Sequence, residues 1–441
     1  MATDAAMGGP VPPLQTFRRM VFAATIGNVL EWFDFVVFVY FAVTISQVFF
    51  PSGNSTVSLL LTFGTFGLAY FARPLGAIFI GGYTDRHGRK AGLTLSIAMM
   101  MIGTTLMAVT PGYATIGLAA PILIIFARLI QGFSVGGEFG SAVSFLLEHG
   151  PHRKGFAASW QWASVGIISV IVSIFGLALT TLLTPDQLST WGWRLLYFFG
   201  MLVGPIGLYI RSQVEETPEF LEAEKPPTMP IADLLRRYPI PVLLALGASI
   251  ISNSSYYLLA YIPTYGVKQL HLPAYTGFIA TGAGGIVLAI FSLVAGHYSD
   301  KMPRTRIMLI TGWLFLLTAY PCFYLMSAFP TLAACVFAVA WLNLVKAGYS
   351  GVLPSLLGEQ FPVEVRAIGV SLSFSAAVSI FGGLAPFFAT LLIAQTGDPL
   401  SPSYYLMGTA LLSIIALMLI QRRSVSVPAT TSALGAVTSG S

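Results

Sequence analysis

The residues best placed to do chemistry are ionisable side chains inside long apolar stretches: Glu31, Asp34, Arg73, Arg128, Glu138 and Lys346. An ionised group at the centre of a bilayer-spanning helix costs on the order of 2.5–3.5 kcal/mol on insertion scales, so it faces a cavity, a partner or a ligand. Glu31 and Asp34 are three residues apart and share a helix face, and Asn28 extends the stripe. Two carboxylates close together in a low dielectric resist joint ionisation, which suits one of them to hold and release a proton. The plainer alternative is an ion pair with Arg73 or Arg128 that only ties helices together. Arg73 precedes Asp85 by about twelve residues, roughly 18 Å along a helix, which puts it near mid-membrane. Arg128 lies equally deep, with Gln131 on the same face. Either guanidinium could clamp a carboxylate through two parallel hydrogen bonds, or pair with Glu31, Asp34 or Glu138.

Lys346 is the most individual of these groups. Asn343, Lys346 and Ser350 share a face, and no acidic residue of the later half lies near their depth, since Asp300, Glu359 and Glu364 read as span-end residues. The partner of Lys346 must then come from the earlier half or from a ligand. An anion between Lys346 and the two arginines fits; so does a Lys346 pair with Asp34 or Glu31. Polar stripes point to a central cavity: Asn253, Tyr257 and Tyr261; Ser371, Ser375 and Ser379; Gln161 and Ser164. Buried amides and hydroxyls need partners, which a polar ligand or a neighbouring helix supplies. Of these, Tyr257 and Gln161, with Asn28, are the stronger substrate contacts.

The elements that must position these groups follow from composition. Only 9% of the 441 residues are charged, 56% are hydrophobic, and the mean hydropathy is +0.80. A soluble domain carries roughly 25% charged residues, so this surface must face lipid. A helix needs about 20 apolar residues to cross a bilayer. Apolar stretches predict spans at 20–48, 57–83, 92–110, 116–147, 155–184, 193–211, 240–267, 275–298, 307–326, 331–357, 366–395 and 402–420. A transmembrane β-barrel is disfavoured, because its strands are short and alternating. The expected fold is an all-α membrane protein of twelve helices in two six-helix halves.

Charge sets the orientation. Apart from Arg73, Arg128, Arg194, Lys268 and Lys346, every Lys and Arg falls on the side of the N-terminus, and residues 50–56 on the opposite side carry no charge. The positive-inside rule then places both termini in the cytoplasm. The net charge of +5 reflects this topology rather than nucleic-acid binding, since no basic domain stands apart from the spans. Residues 1–19 read as a cytoplasmic tail without a cleaved leader, 20–211 as the first bundle, 212–238 as a cytoplasmic linker, 239–420 as the second bundle and 421–441 as a disordered tail. Cys322 and Cys335 lie within spans, with neither metal spacing nor a disulfide pattern.

The halves carry a repeated loop. Gly81-Gly-Tyr-Thr-Asp85-Arg86-His-Gly88-Arg89-Lys90 lies between spans 2 and 3, and Gly296-His-Tyr-Ser-Asp300-Lys301-Met-Pro-Arg304-Thr-Arg306 between spans 8 and 9. Matched loops in two halves suit a carrier that rocks one half against the other. Asp85, Arg86, Arg89, Asp300 and Arg304 are therefore candidate gating residues, with Asp near a helix end and Arg pairing across the seam. A simple topology signal is the bland alternative, less favoured because the loop occurs twice. Gly132, Gly136 and Gly140 predict close helix packing.

The first loop resembles that of the major facilitator superfamily; the second departs from it at Met302-Pro303 and Thr305. Asn28-Val-Leu-Glu31-Trp-Phe-Asp34-Phe, Arg73-Pro-Leu-Gly, Arg128-Leu-Ile-Gln131-Gly through Glu138, Trp191-Gly-Trp-Arg194, Glu216-Thr-Pro-Glu219-Phe and Phe361-Pro-Val-Glu-Val-Arg366 narrow this to a resemblance to the metabolite:proton symporters. Ser371-Leu-Ser-Phe-Ser, Ile380-Phe-Gly-Gly-Leu-Ala-Pro386 and Thr396-Gly-Asp398 resemble the citrate and tricarballylate carriers, whereas Gly136-Gly-Glu138-Phe-Gly is similar to the 2-oxoglutarate carriers. The resemblance implies a bacterial inner-membrane importer of a small carboxylate, and the expected function is proton-coupled uptake of a di- or tricarboxylate by alternating access, with Na⁺ the alternative coupling ion. Carriage of proline, betaine or a shikimate-like monocarboxylate is the alternative. The expected partners are the organic anion, a co-transported proton and the lipid bilayer, with no nucleic acid, no cofactor and no metal, and the protein acting as a monomer. An enzyme is disfavoured, because the sequence shows no metal-ligand set, nucleophile–histidine pair or nucleotide loop.

Overall fold

The computed structural model describes residues 28–29, 32–87, 89–136, 138–149, 153–212, 231–362 and 365–426, and all regular structure within them is helical. Among the described residues, nine helices are long and apolar enough to cross a membrane. They correspond to the predicted spans 2, 4, 5 and 7–12. Span 1 is a bent pair, Trp32–Tyr40 and Ala42–Phe49, with 77° between its parts. The shorter apolar helix Thr94–Val109 fills span 3, and Arg194–Ser212 fills span 6. The fold is thus the expected all-helical membrane bundle.

Several spans break near their middles, and local chemistry accounts for it. Span 2 pauses at Ala72, just ahead of Arg73-Pro74, and span 7 at Tyr261, just ahead of Pro263. Span 10 breaks at Gly351-Val352 before Pro354, and span 11 widens into a π turn at Val378–Gly382 before Pro386. Proline lacks an N–H and crowds the preceding turn, so it restarts a helix rather than continuing one. Such interruptions are tolerated in a membrane where protein or a polar cavity surrounds them.

Small residues set the helix spacing. A side chain at Gly132 or Gly136 would strike the backbone of span 2 at Ala69 or Arg73, and one at Gly140 would strike span 11 at Ala367. Spans 5 and 8 pack equally closely, Gly166 lying against Gly285 and Ala289. Ser173 and Thr281 share a 3.0 Å hydrogen bond there. In lipid, where apolar burial gives little driving force, such close backbone approach and interhelical hydrogen bonds hold helices together. Phe79, Leu182 and Leu317 are exposed on the outside, as a lipid-facing surface requires.

The second repeated loop crosses the seam through its aspartate. Asp300 accepts from the backbone N–H groups of Gly155 (2.6 Å) and Phe156 (3.1 Å), capping span 5 of the other half. Among the described residues, the partners of Arg304 lie in its own half and not across the seam as expected. Arg304 donates to Ser355 (3.0 Å), pairs with Glu359 and lies 3.7 Å from Asp300. The reason is proximity: Arg304 opens span 9 beside the end of span 10, which supplies both acceptors. The side chains of Asp85, Arg86 and Arg89 lie outside the described residues.

Candidate functional site

The buried charges separate into two poles. In the first half, Asp34 accepts from Thr104 of span 3 and from Gln131 Nε2 of span 4 (3.0 Å). Gln131 Oε1 in turn accepts from Arg128 Nη1 (2.7 Å). Asp34, Thr104, Gln131 and Arg128 thus form one chain of hydrogen bonds. Gln131 is an amide relay that passes the arginine's polarisation to the carboxylate without a direct ion pair. Among the described residues, Asp34 is the one fully buried carboxylate. Glu31, and the side chain of Glu138, lie outside the described residues.

Arg128 and Arg73 are buried at 0% and 2% exposure, each against aromatic faces. Arg128 lies 4.4 Å from the Phe38 ring and 4.6 Å from that of Phe35. Arg73 lies 4.4 Å from Tyr70, 5.2 Å from Phe35 and 5.7 Å from Trp32. Phe35 is therefore shared by the two guanidinium groups. Ring faces attract cations but accept few of their hydrogen bonds. Nε and Nη2 of both arginines find no hydrogen-bond partner among the described residues.

Lys346 forms the second pole. Its Nζ sits 4.6 Å from Trp162 of span 5 and 4.4 Å from Tyr256 of span 7, again with no hydrogen-bond partner among the described residues. Trp32 stands between the poles, meeting Arg73 on one side and the Tyr256 ring, at 5.6 Å, on the other. Tyr70 donates to the Tyr257 hydroxyl at 2.6 Å, bridging span 2 to span 7 across the seam. Asn28 and Gln161 face each other. Gln161 Nε2 donates to Asn28 Oδ1 (2.7 Å), and Asn28 Nδ2 donates to Ser164 (2.5 Å) and to the Gln161 carbonyl (3.2 Å).

The structure thus gathers Asp34 with Arg128, and Arg73 with Tyr257 through Tyr70 and Trp32. Asn28 and Gln161 form a neighbouring amide pair. Lys346 does not approach Asp34 within ion-pair range, so the described residues hold no Lys346–Asp34 pair. Sequence reasoning missed Thr104, Trp162 and Tyr256. Thr104 adjoins Thr105 in an apolar run, and both hydroxyls bond back to their own helix, so neither stood out. Tyr256 adjoins Tyr257, and a four-residue stripe picks only one of two neighbours although both are buried. Trp162 adjoins Gln161 and reads as bulk.

The sequence profile of the Major Facilitator Superfamily matches residues 24–383. The chain belongs to this superfamily. Among its members, the metabolite:proton symporters are the chain's kin. A citrate-proton symporter of Salmonella typhi is 38% identical over 399 residues, covering 90% of this chain and 92% of the relative. One of Klebsiella pneumoniae is 35% identical over 407 residues, covering 92% of each. A proline/betaine transporter of Salmonella typhimurium is 32% identical over 415 residues, covering 90% of this chain and 82% of the relative. The fold matches a proton:xylose symporter bound to 6-bromo-6-deoxy-D-glucose, with a TM-score of 0.75 at 16% identity over 92% of this chain and 96% of that one. The superfamily match and the apolar helices make this a multi-pass membrane protein of a transporter family.

Proposed function

We propose that this superfamily member is a proton-coupled importer of a small di- or tricarboxylate, working by alternating access. The observation that carries this is the charge balance at the seam. Three buried cations, Arg73, Arg128 and Lys346, present unpartnered N–H groups, whereas Asp34 is the one fully buried carboxylate among the described residues. Unpaired buried charge is costly, and a carboxylate ligand cancels it. The relatedness to citrate-proton symporters supports the same substrate class.

Arg73, Arg128 and Lys346 are assigned to substrate, with Tyr257, Asn28 and Gln161 shaping the cavity. Asp34 is assigned to proton coupling through its bonds to Thr104 and Gln131, with Glu31 as its partner in the sequence stripe. An inside-negative potential opposes anion entry by about 2.3 kcal/mol per charge per 100 mV, and co-transported protons cancel that term. Protonation of Asp34 removes the charge that competes with substrate for Arg128. Asp300 and Arg304, with Asp85, Arg86 and Arg89 at the equivalent loop, are assigned to gating on the cytoplasmic face. The protein works as a monomer in the bacterial inner membrane, both termini cytoplasmic. Its bundles are 20–211 and 239–420, joined by 212–238. It is not an enzyme.

Carriage of a zwitterion is the second reading, favoured by the proline/betaine relatives. Lys346 weighs against it, because a quaternary ammonium gains nothing beside a lysine. Proteoliposomes under an inward proton gradient distinguish the two. Accumulation of citrate, tricarballylate or 2-oxoglutarate is expected. Accumulation of proline or betaine alone would replace the first reading by the second.

A further inference from the structure

Trp162 has no part in the roles assigned above, yet its indole N–H is buried without a partner. It sits on span 5 at 1% exposure, and Nε1 makes no hydrogen bond among the described residues. A buried donor left unmade costs the full desolvation of that group, about 1–3 kcal/mol. Tryptophan fills apolar space without that penalty only where its N–H finds an acceptor. The same indole ring faces Lys346 Nζ at 4.6 Å, and Nζ also lacks an acceptor. Two unmet donors in one buried neighbourhood can share one acceptor.

The surroundings favour an anion as that acceptor. The opposite wall is the Tyr256 ring, edge-on to Trp162 at 5.9 Å and 75°. The Tyr256 hydroxyl is buried there too and makes no hydrogen bond among the described residues. No carboxylate of the described residues approaches Lys346 within ion-pair distance. A gap too narrow for a water molecule borders Lys346, lined by Ser252, Ser255 and Ser350 among others.

We infer that Trp162 Nε1 and Lys346 Nζ are the paired donors of a second carboxylate subsite, separate from the arginine pole and closed by the meeting of the two halves. Trp162 belongs to the first half, Lys346 and Tyr256 to the second, so the subsite is complete only while the halves are together. The Trp32 ring separates it from Arg73. A monocarboxylate can occupy one pole at a time. A di- or tricarboxylate can bridge both, so Trp162 selects for the number of carboxylates rather than for carboxylate itself. This rests on the carboxylate reading proposed above and names a residue that the reading does not need.

The test compares ligands of matched length on purified protein. Dissociation constants are measured by calorimetry for citrate, tricarballylate and glutarate, and for valerate as a monocarboxylate of glutarate's length. Trp162→Phe keeps a ring beside Lys346 and deletes the N–H. A hydrogen bond to a charged group is worth enough that its loss weakens binding about 10- to 100-fold. The expected result is that weakening for the polycarboxylate bound by wild type, with valerate changed less than twofold. Equal weakening of both, or no change, overturns the subsite. If Trp162→Phe does not purify as a folded protein, Trp162→Leu, whose side chain has no donor, is read in the same way. Wild type that binds none of the four ligands sinks the carboxylate reading itself, a different failure from a selectivity that survives the loss of the indole N–H.

Discussion

Replacing Lys346 by methionine separates a ligand-binding cation from a structural one, because the two roles predict opposite effects on the empty protein. Lys346 is 2% exposed, with two ring faces and no hydrogen-bond acceptor. Burying an ion costs several kcal/mol even after relaxation. A desolvated cation–π contact returns about 2 kcal/mol, so the rings of Trp162 and Tyr256 offset about 4. These terms nearly cancel. Methionine has similar length and no charge, so Lys346→Met should leave the empty protein's stability within about 1 kcal/mol of wild type or slightly higher. Ligand binding should behave differently. Removing one partner of a buried charge pair costs about 2–5 kcal/mol, which is an affinity loss of about 30-fold or more. Thermal melting in detergent, with and without citrate and tricarballylate, reads both quantities. Lys346→Met should melt at or above the wild-type temperature and lose the ligand-induced rise. A variant that melts several degrees lower, or keeps the full ligand shift, would refute the assignment and make Lys346 structural.

Other expectations follow from single contacts. Asp34→Asn should abolish accumulation driven by a proton gradient while keeping substrate exchange across the membrane, measured by counterflow; full accumulation in that variant would remove Asp34 from coupling. Thr104→Val deletes a donor to Asp34 and should slow gradient-driven uptake more than counterflow; equal slowing of both would make Thr104 a packing residue. Asp300→Ala removes the cap on span 5, worth about 1–2 kcal/mol, and should shift the carrier about tenfold toward the state open beside Gly155. Spin-label distances between the ends of spans 5 and 8 read that shift, and unchanged distances would count against a gating role. Gly132→Val places a side chain against the Ala69 carbonyl and should prevent stable expression; a well-folded variant would show that the span 2–span 4 spacing can relax.

The fold was legible in the sequence because membrane insertion leaves a strong one-dimensional signal. Apolar length predicts each span, and the glycines of span 4 predict a close approach that the structure places against Ala69, Arg73 and Ala367. The buried charges were legible for the same reason, since Arg73 and Lys346 interrupt runs that otherwise have none and Arg128 shares its run only with Glu138. Their neighbours were not. Contacts between spans depend on the azimuth of each helix, and the sequence specifies azimuth only by stripes. A stripe selects Tyr257, whereas the ring beside Lys346 belongs to Tyr256, one residue and about 100° away. Arg304 shows a second limit. Its loop predicts a basic residue at the seam, but Ser355 and Glu359 at the end of span 10 are nearer, and the seam contact falls to Asp300. Asn28 and Gln161 each read as a polar group awaiting substrate, and their mutual hydrogen bonds depend on a crossing of spans 1 and 5 that neither stretch encodes alone.

Proton-coupled carboxylate entry can be measured directly by recording both fluxes together in proteoliposomes holding a pH-sensitive dye. With the membrane potential clamped at zero and no initial pH gradient, adding citrate or tricarballylate outside should acidify the interior in step with entry of labelled substrate. The acidification should vanish in Asp34→Asn while labelled exchange persists. Substrate entry without internal acidification, in wild type at any carboxylate concentration, would contradict proton coupling through this site.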